Sequence, residues 1–216
     1  MRKKLVIIGA GDFGREVIGI VNRINVANKE EQYDLVGFVD DNIKLRDRCI
    51  GGLKVLGDIQ WLNNYQGETL YAVCSIGTGQ IRKRVIEKIT NKNIKYPVLI
   101  DPDVSFLGGE SIGEGTIISS NNSVSIDVNI GRHVIINLSC TIGHDVTIDD
   151  FSVINPGTNL SGFVHIGECT DIGTGTKIIQ HINVGKNAVT GAGAVVIRDI
   201  DDEDKVAGVP AKSIKR

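Results

Sequence analysis

Residues 112–195 read IGEGTI ISSNNS VSIDVN IGRHVI INLSCT IGHDVT IDDFSV INPGTN LSGFVH IGECTD IGTGTK IIQHIN VGKNAV TGAGAV. Divided this way, the first residue of each six runs from Ile112 and Ile118 to Val184 and Thr190, and thirteen of the fourteen are aliphatic. The second is Gly, Asn, Ser or Asp in thirteen of the fourteen, with Ile179 the exception. The fifth is small or β-branched almost throughout, with Asn122 the clearest misfit. No residue is inserted or deleted. Neither a 3.6-residue nor a 2-residue period produces this pattern, whereas a parallel β-helix of hexapeptide repeats does.

The physics of the repeat sets further expectations. Each six supplies a short strand and a corner, with the aliphatic residue pointing inward and the fifth residue filling the space beside it. The second residue is expected to turn the corner with positive φ, which Gly tolerates freely and Asn or Asp next best. Three sixes make a triangular coil, so residues 18 apart stack at about the 4.8 Å strand spacing. Each coil buries the face of the next.

Composition narrows the function classes. The 216 residues carry a net charge of −2, which gives no electrostatic case for nucleic acid. Aromatics are only 5 %, in keeping with a β-branched solenoid joined to a small α/β unit. Cys49, Cys74, Cys140 and Cys169 show neither metal-ligand spacing nor a disulfide framework, so no metal is expected. The apolar run after Lys4 is too short for a signal peptide and no run is long enough to span a membrane, so a cytoplasmic protein is the expectation.

Leu5 to Ile8 is a continuous aliphatic run, the mark of a buried parallel strand. It leads into Gly9-Ala10-Gly11-Asp12-Phe13-Gly14, a full G-x-G-x-x-G ahead of a helical pattern at Val17, Ile20, Val21 and Ile24. Such a loop can receive a phosphate on its backbone N–H groups. A second strand ends in Asp40-Asp41, where an acidic residue in a dinucleotide fold binds a ribose hydroxyl. Another strand precedes Gly77-Thr78-Gly79, and the helix after it carries a basic face of Arg82, Lys83, Arg84 and Lys88. Ile94 to Ile100 reads as a last strand. Residues 1–100 are therefore expected to form a Rossmann-like nucleotide-sugar-binding domain, and 101–216 the β-helix. A dehydrogenase would need a second nucleotide-binding half and a catalytic domain.

The pairing of a small Rossmann-like domain with hexapeptide repeats resembles the sugar O-/N-acetyltransferases of the sialic acid O-acetyltransferase type. That group includes UDP-4-amino-sugar N-acetyltransferases. The motifs are the glycine loop, Asp40-Asp41, Asn137 with Gly143-His144-Asp145, Gly191-Ala192-Gly193-Ala194-Val195, and Gly208-Val209-Pro210-Ala211-Lys212. The resemblance implies a left-handed β-helix and a homotrimer with active sites between neighbouring β-helices. It implies acetyl-CoA in the groove between them and a nucleotide-linked sugar, UDP favoured, delivered by the N-terminal domain. It also implies that His144 is the base, Asp145 its orienting acid, and that Asn137 lies near the acceptor. The alternatives are O-acetylation of sialic acid or a related sugar, and a non-catalytic trimeric nucleotide-sugar-binding protein.

The residues themselves support this chemistry. Attack of an amine on a thioester needs a proton acceptor, and a histidine with an ordinary pKa of about 6.5 suits that task. No Cys–His or Ser–His relay is evident, so direct attack is expected. Gly162 stacks 18 residues beyond His144 and leaves room beside the base for the thioester. Gly191, Ala192 and Gly193 are expected to admit the pantetheine arm, and Lys186, Lys212 or Arg216 to meet the CoA phosphates. Asp12, Phe13 and Gly77 join Gly11, Gly14, Asp40 and Asp41 as expected sugar-nucleotide contacts. Some relatives carry a second histidine nine residues after the base; here that position is Val153, and Asn155 is the candidate substitute contact near the acetyl group.

Overall fold

The structure, a computed structural model, describes residues 2–28 and 32–214. The chain forms a small α/β domain and a left-handed parallel β-helix. In the first domain β1 (Lys3–Ile8), α1 (Asp12–Ala27), β2 (Tyr33–Val39), β3 (Cys49–Ile50), β4 (Leu53–Gly57), α2 (Ile59–Asn63), β5 (Leu70–Cys74), α3 (Gly79–Glu87) and β6 (Ile94–Lys95) follow in order. The sheet order is β3-β4-β2-β1-β5-β6, parallel except for the short β3 hairpin partner. Its central strand is aliphatic because both faces are covered: Leu5, Val6 and Ile7 are wholly buried. Asp58 caps α2 by accepting from Gln60 N.

The expected last strand splits in two. β6 closes the first sheet, whereas β7 (Leu99–Ile100) pairs with Ile117–Ile118 and opens the first face of the β-helix. Pro97 between them cannot donate to a ladder.

From β7 to Val195–Val196 the strands are two residues long and pair with strands 18 residues away, as Ile118↔Ile136 and Ile136↔Ile154 show; Lys205–Ala207 and the antiparallel Lys212–Ser213 close the first face. They build three faces of eight, six and five strands. The aliphatic first residues from Ile118 to Val184 are at most 3 % exposed. Side chains of this size contribute roughly 1.5–3 kcal/mol each when fully buried. The misfit Asn122 is buried and satisfied: its amide donates to Ser119 O and Asn137 O, and its carbonyl accepts from Cys140 N.

The corner geometry corrects the expectation. In all fourteen sixes it is the fourth residue, not the second, that has positive φ, between 53° and 72°. Several of these are bulky, including His133, Phe151, Phe163 and His181. Stacked coils hold them in a conformation such residues avoid in isolation. Glycine recurs at the second position because coils approach closely there. A Cβ on Gly143 would lie 2.6 Å from Gly162 N, and one on Gly113 2.5 Å from Gly131 C.

The helix has three edges. The first follows the first face and carries Asn137 and Asn155. The second carries His144 and Gly162. The third carries His133, Phe151 and Cys169, and the α/β domain docks there and on the first face. Ile117, Ile135 and Val153 pack with Val17 and Ile20 of α1 in one apolar cluster. Arg23 adds an ion pair to the buried Asp101 at 2.7 Å.

Candidate active site

On the second edge, His144 Nδ1 and Asp145 Oδ2 are 2.8 Å apart. Neighbours on a strand point to opposite faces, so the strand pattern alone leaves open whether Asp145 partners His144 in the same chain; the structure brings the two together. The strand has already ended at Ile142, and the φ of 58° at Asp145 turns its carboxylate back onto the imidazole. A carboxylate accepts from N–H, so Nδ1 donates to Asp145, an arrangement that in the neutral ring leaves the lone pair on Nε2. The ring lies over Gly162: a Cβ there would fall 2.5 Å from both Cε1 and Nε2 of His144. Phe163 meets the imidazole edge-on at 5.1 Å and stacks on His181 at 4.8 Å. Leu107, Ile126, Ile179 and Ile197 continue an exposed apolar line along the same edge.

On the first edge lies a cavity of about 540 Å³ between the two domains. Asp12, Phe13 and Gly77 line it from the α/β side, and Asn137, Asn155 and Asp171 from the β-helix. The last three form a ladder. Asn137 Nδ2 donates to Asn155 Oδ1 at 3.4 Å, and Asn155 Nδ2 to Asp171 Oδ1 at 2.7 Å. Burial pushes the Asp171 carboxyl up, opposed by the Asn155 hydrogen bond and by the field of Arg82. Val153 lines the same cavity.

The wall behind this cavity is held by Arg82. It was expected on a basic outer face but is wholly buried. Its guanidinium donates to Ile76 O, Gly77 O, His133 O, Phe151 O and Ser152 O. Five carbonyl oxygens compensate a cation that burial would otherwise expel, and the same burial lowers its pKa to about 10. Gly79 permits the approach, since a Cβ there would collide with Phe151 O. His133 stacks on Phe151 at 5.2 Å, and its Nδ1 is buried with no hydrogen-bond partner among the described residues. Burial, with Arg82 and Arg132 nearby, lowers its pKa to about 4.

A second cavity of about 380 Å³ lies at the carboxyl end of the parallel sheet, lined by Gly9, Asp40, Asp41, Ile59, Arg84 and Lys88 among others. Asp40 accepts from Ala10 N through one oxygen and from Asn42 N through the other, both at 2.8 Å. Asp41 accepts from Ile59 N at 3.0 Å. Gly14 packs against Gly9 O and Phe38, whereas a Cβ on Gly11 would meet nothing within 4 Å. Ile76 lines both cavities.

The expected site residues thus fall into groups. Asp12, Phe13, Gly77 and Asn137 share one cavity with Asn155; Asp40 and Asp41 lie in the next. His144, Asp145 and Gly162 occupy a different edge. Gly191, Ala192 and Gly193 lie further along the edge of Asn137, with open space beside Gly193. Lys212 is exposed at the far end of the first face. Arg216 lies outside the described residues. Two residues escaped the sequence reading. Asp171 could have been found by counting eighteens, because the column Ile117, Ile135, Val153 is apolar until it reaches a carboxylate. Nothing in the sequence separates Arg82 from its basic neighbours.

Three comparisons bear on this geometry. A family described as the PglD N-terminal domain matches residues 4–89. GDP-perosamine N-acetyltransferase of Escherichia coli O157:H7 is 32 % identical over 124 residues, which cover 57 % of this chain and 54 % of that protein. The chain therefore spans about half the length of that curated relative. The acetyltransferase domain of PglB from Neisseria gonorrhoeae FA1090, in complex with acetyl coenzyme A, superposes with a TM-score of 0.89 at 33 % identity, covering 99 % of this chain and 100 % of that one. The chain belongs to this sugar N-acetyltransferase family. A point variant of perosamine N-acetyltransferase from Caulobacter crescentus, in complex with CoA and GDP-perosamine, aligns over 99 % of this chain and 97 % of its own, with a TM-score of 0.88 at 26 % identity. Among the described residues no cluster of His, Cys, Asp or Glu is built to hold a metal, and no helix is long and apolar enough to cross a membrane.

Proposed function

We propose that this chain transfers the acetyl group of acetyl-CoA to the amino group of a nucleotide-linked sugar in surface-polysaccharide or glycan synthesis. The His144–Asp145 pair over side-chain-free Gly162 carries the proposal. Asp145 holds the imidazole in the tautomer with a free Nε2, the arrangement a general base needs. The neutral amine attacks the thioester carbonyl directly. Nε2 takes the amine proton and returns it to the departing thiolate, so amide and free thiol leave and the histidine is restored. Gly162 N has no hydrogen-bond acceptor among the described residues and is suited to donate to the carbonyl oxygen as it becomes an oxyanion.

The nucleotide occupies the cavity of Asp40 and Asp41, and the sugar reaches the neighbouring cavity beside Asn137. That cavity and His144 lie on different edges of the prism, so the base comes from a neighbouring copy in a homotrimer. The exposed apolar line through Phe163 and Ile179 suits burial between copies. Acetyl-CoA then lies in the groove between edges, past Gly162 and Gly191 to Gly193, with Lys212 towards its phosphates. A UDP carrier is favoured, and the cytoplasm, where both substrates are made, is the compartment.

The test is an acceptor screen: UDP-, GDP- and dTDP-linked amino sugars are incubated with acetyl-CoA, and released thiol is followed. Mass spectrometry then locates the new acetyl. Transfer to nitrogen supports the proposal; transfer to oxygen, or no thiol release with any acceptor, contradicts it.

A further inference from the structure

We propose that Asp171 is the residue that reads the acceptor's amino group, selecting an ammonium over a hydroxyl at the transferring end of the sugar; the bound ammonium releases one proton to solvent before the neutral amine attacks. The inference deepens the acetyl-transfer reading above and rests on it.

Asp171 breaks a column on the first face that is apolar from Leu99 to Val153 and again at Val189, and it opens into the cavity between the domains. Its Oδ1 is held by Asn155 Nδ2 at 2.7 Å, which fixes the carboxylate plane. Its other oxygen takes no hydrogen bond among the described residues and is available to a ligand. Half-burial of the group makes any charge it meets count for more than it would at the surface.

The charge balance of the two cavities gives the ligand a direction. The cavity of Asp171 is lined by three carboxylates, Asp12, Glu16 and Asp171, and by no lysine, arginine or histidine. A diphosphate is repelled there and an ammonium is attracted. The adjoining cavity carries Arg84 and Lys88 beside Asp40 and Asp41, whose carboxylates already accept from the Ala10, Asn42 and Ile59 N–H groups, and it shares Ile76 with the first. One ligand spans both, with its phosphates towards Arg84 and Lys88 and its amine at Asp171. Arg82 stands behind the wall with its donors spent on carbonyl oxygens, so its field, with the Asn155 hydrogen bond, opposes the burial that raises the Asp171 carboxyl without neutralising it by contact.

The experiment is isothermal titration of the full-length protein with paired ligands: 4-amino sugars and their 4-hydroxy counterparts on the same carrier, for example GDP-perosamine against GDP-D-rhamnose, with UDP and dTDP pairs alongside. The wild type is expected to prefer the amine by roughly 10- to 100-fold, the range of a hydrogen bond to a charged group. In Asp171→Asn, which keeps the Asn155 bond but removes the charge, the preference should fall to within about threefold. A wild-type measurement needs no variant. The amine preference should decline as pH rises through the pKa of the sugar amine, with Asp12, Glu16 and Arg82 the other charged groups around Asp171. Equal binding of amine and hydroxyl ligands by the wild type, a preference that survives in Asp171→Asn, or one that is flat with pH overturns the proposal. A protein that binds no nucleotide sugar overturns the nucleotide-sugar reading and the proposal with it. Tight binding without thiol release overturns acetyl transfer while leaving amine recognition standing.

Discussion

Gly162→Ala is the smallest change that should disable the site without replacing the base. The added Cβ would lie 2.5 Å from Cε1 and Nε2 of His144, about 1 Å inside ordinary carbon contact. The ring has little freedom to give that distance. Its Nδ1 is tied to Asp145 at 2.8 Å and its edge rests on Phe163. Retreat therefore stretches the carboxylate bond or swings Nε2 out of line. A misplacement of about 1 Å at a reacting group can cost about 100-fold, or roughly 2.7 kcal/mol in the barrier. The Gly162 backbone lies outside the left-handed region, so alanine suits it locally and the melting temperature should move by only a few degrees. Thiol release at saturating acceptor gives kcat, and a thermal melt gives stability. A kcat within about threefold of wild type would refute the account of how the imidazole is held.

Arg82→Met leaves five carbonyl oxygens without their donor and should cost about 3–5 kcal/mol in denaturant unfolding, with a raised KM for the acceptor as the wall at Ile76 and Gly77 shifts. Arg82→Lys should recover part of the stability, and an unchanged denaturation midpoint in Arg82→Met would contradict the docking role. His133 contributes acid lability. Its folded pKa of about 4 lies below the ordinary 6.5, so the unfolded chain binds more protons between those values. Stability is complete above pH 6.5 and falls as pH drops towards 4, by on the order of 3 kcal/mol for this group. Melts of His133→Phe across that window should be markedly flatter than wild type; parallel curves would assign the acid loss elsewhere.

The β-helix was legible in the sequence because its repeat forces each residue type into one environment. A single aliphatic ladder from Ile118 to Val184 fixes register, interior and stacking partner together. The corners were less legible. Glycine at the second position has two physical uses, positive φ and close approach, and only coordinates separate them: Gly143 is there for its contact with Gly162 N. The same shift of the turn by two residues explains why Asp145 reaches His144. Arg82 could not be recognised because its partners are backbone carbonyls, which carry no side-chain signature. Asp171 was readable in principle, since the column before it, Ile117, Ile135 and Val153, is wholly apolar, but its meaning depends on the cavity that the α/β domain closes over it. The expected glycine-loop contacts dispersed for a related reason. Asp40 already occupies the Ala10 N–H, a link made by the turn and the end of β2 meeting across the sheet.

The most direct test of a base supplied across a subunit boundary is complementation. His144→Ala and the cavity variant Asn137→Ala/Asn155→Ala are each purified, shown to be nearly inactive, then unfolded and reassembled together. Random mixing should restore about one quarter of wild-type thiol release, the share of interfaces that join an intact His144 to an intact cavity. No recovery from mixed trimers, with wild-type protein regaining full activity in the same procedure, would show that both parts must lie in one chain and would contradict the account.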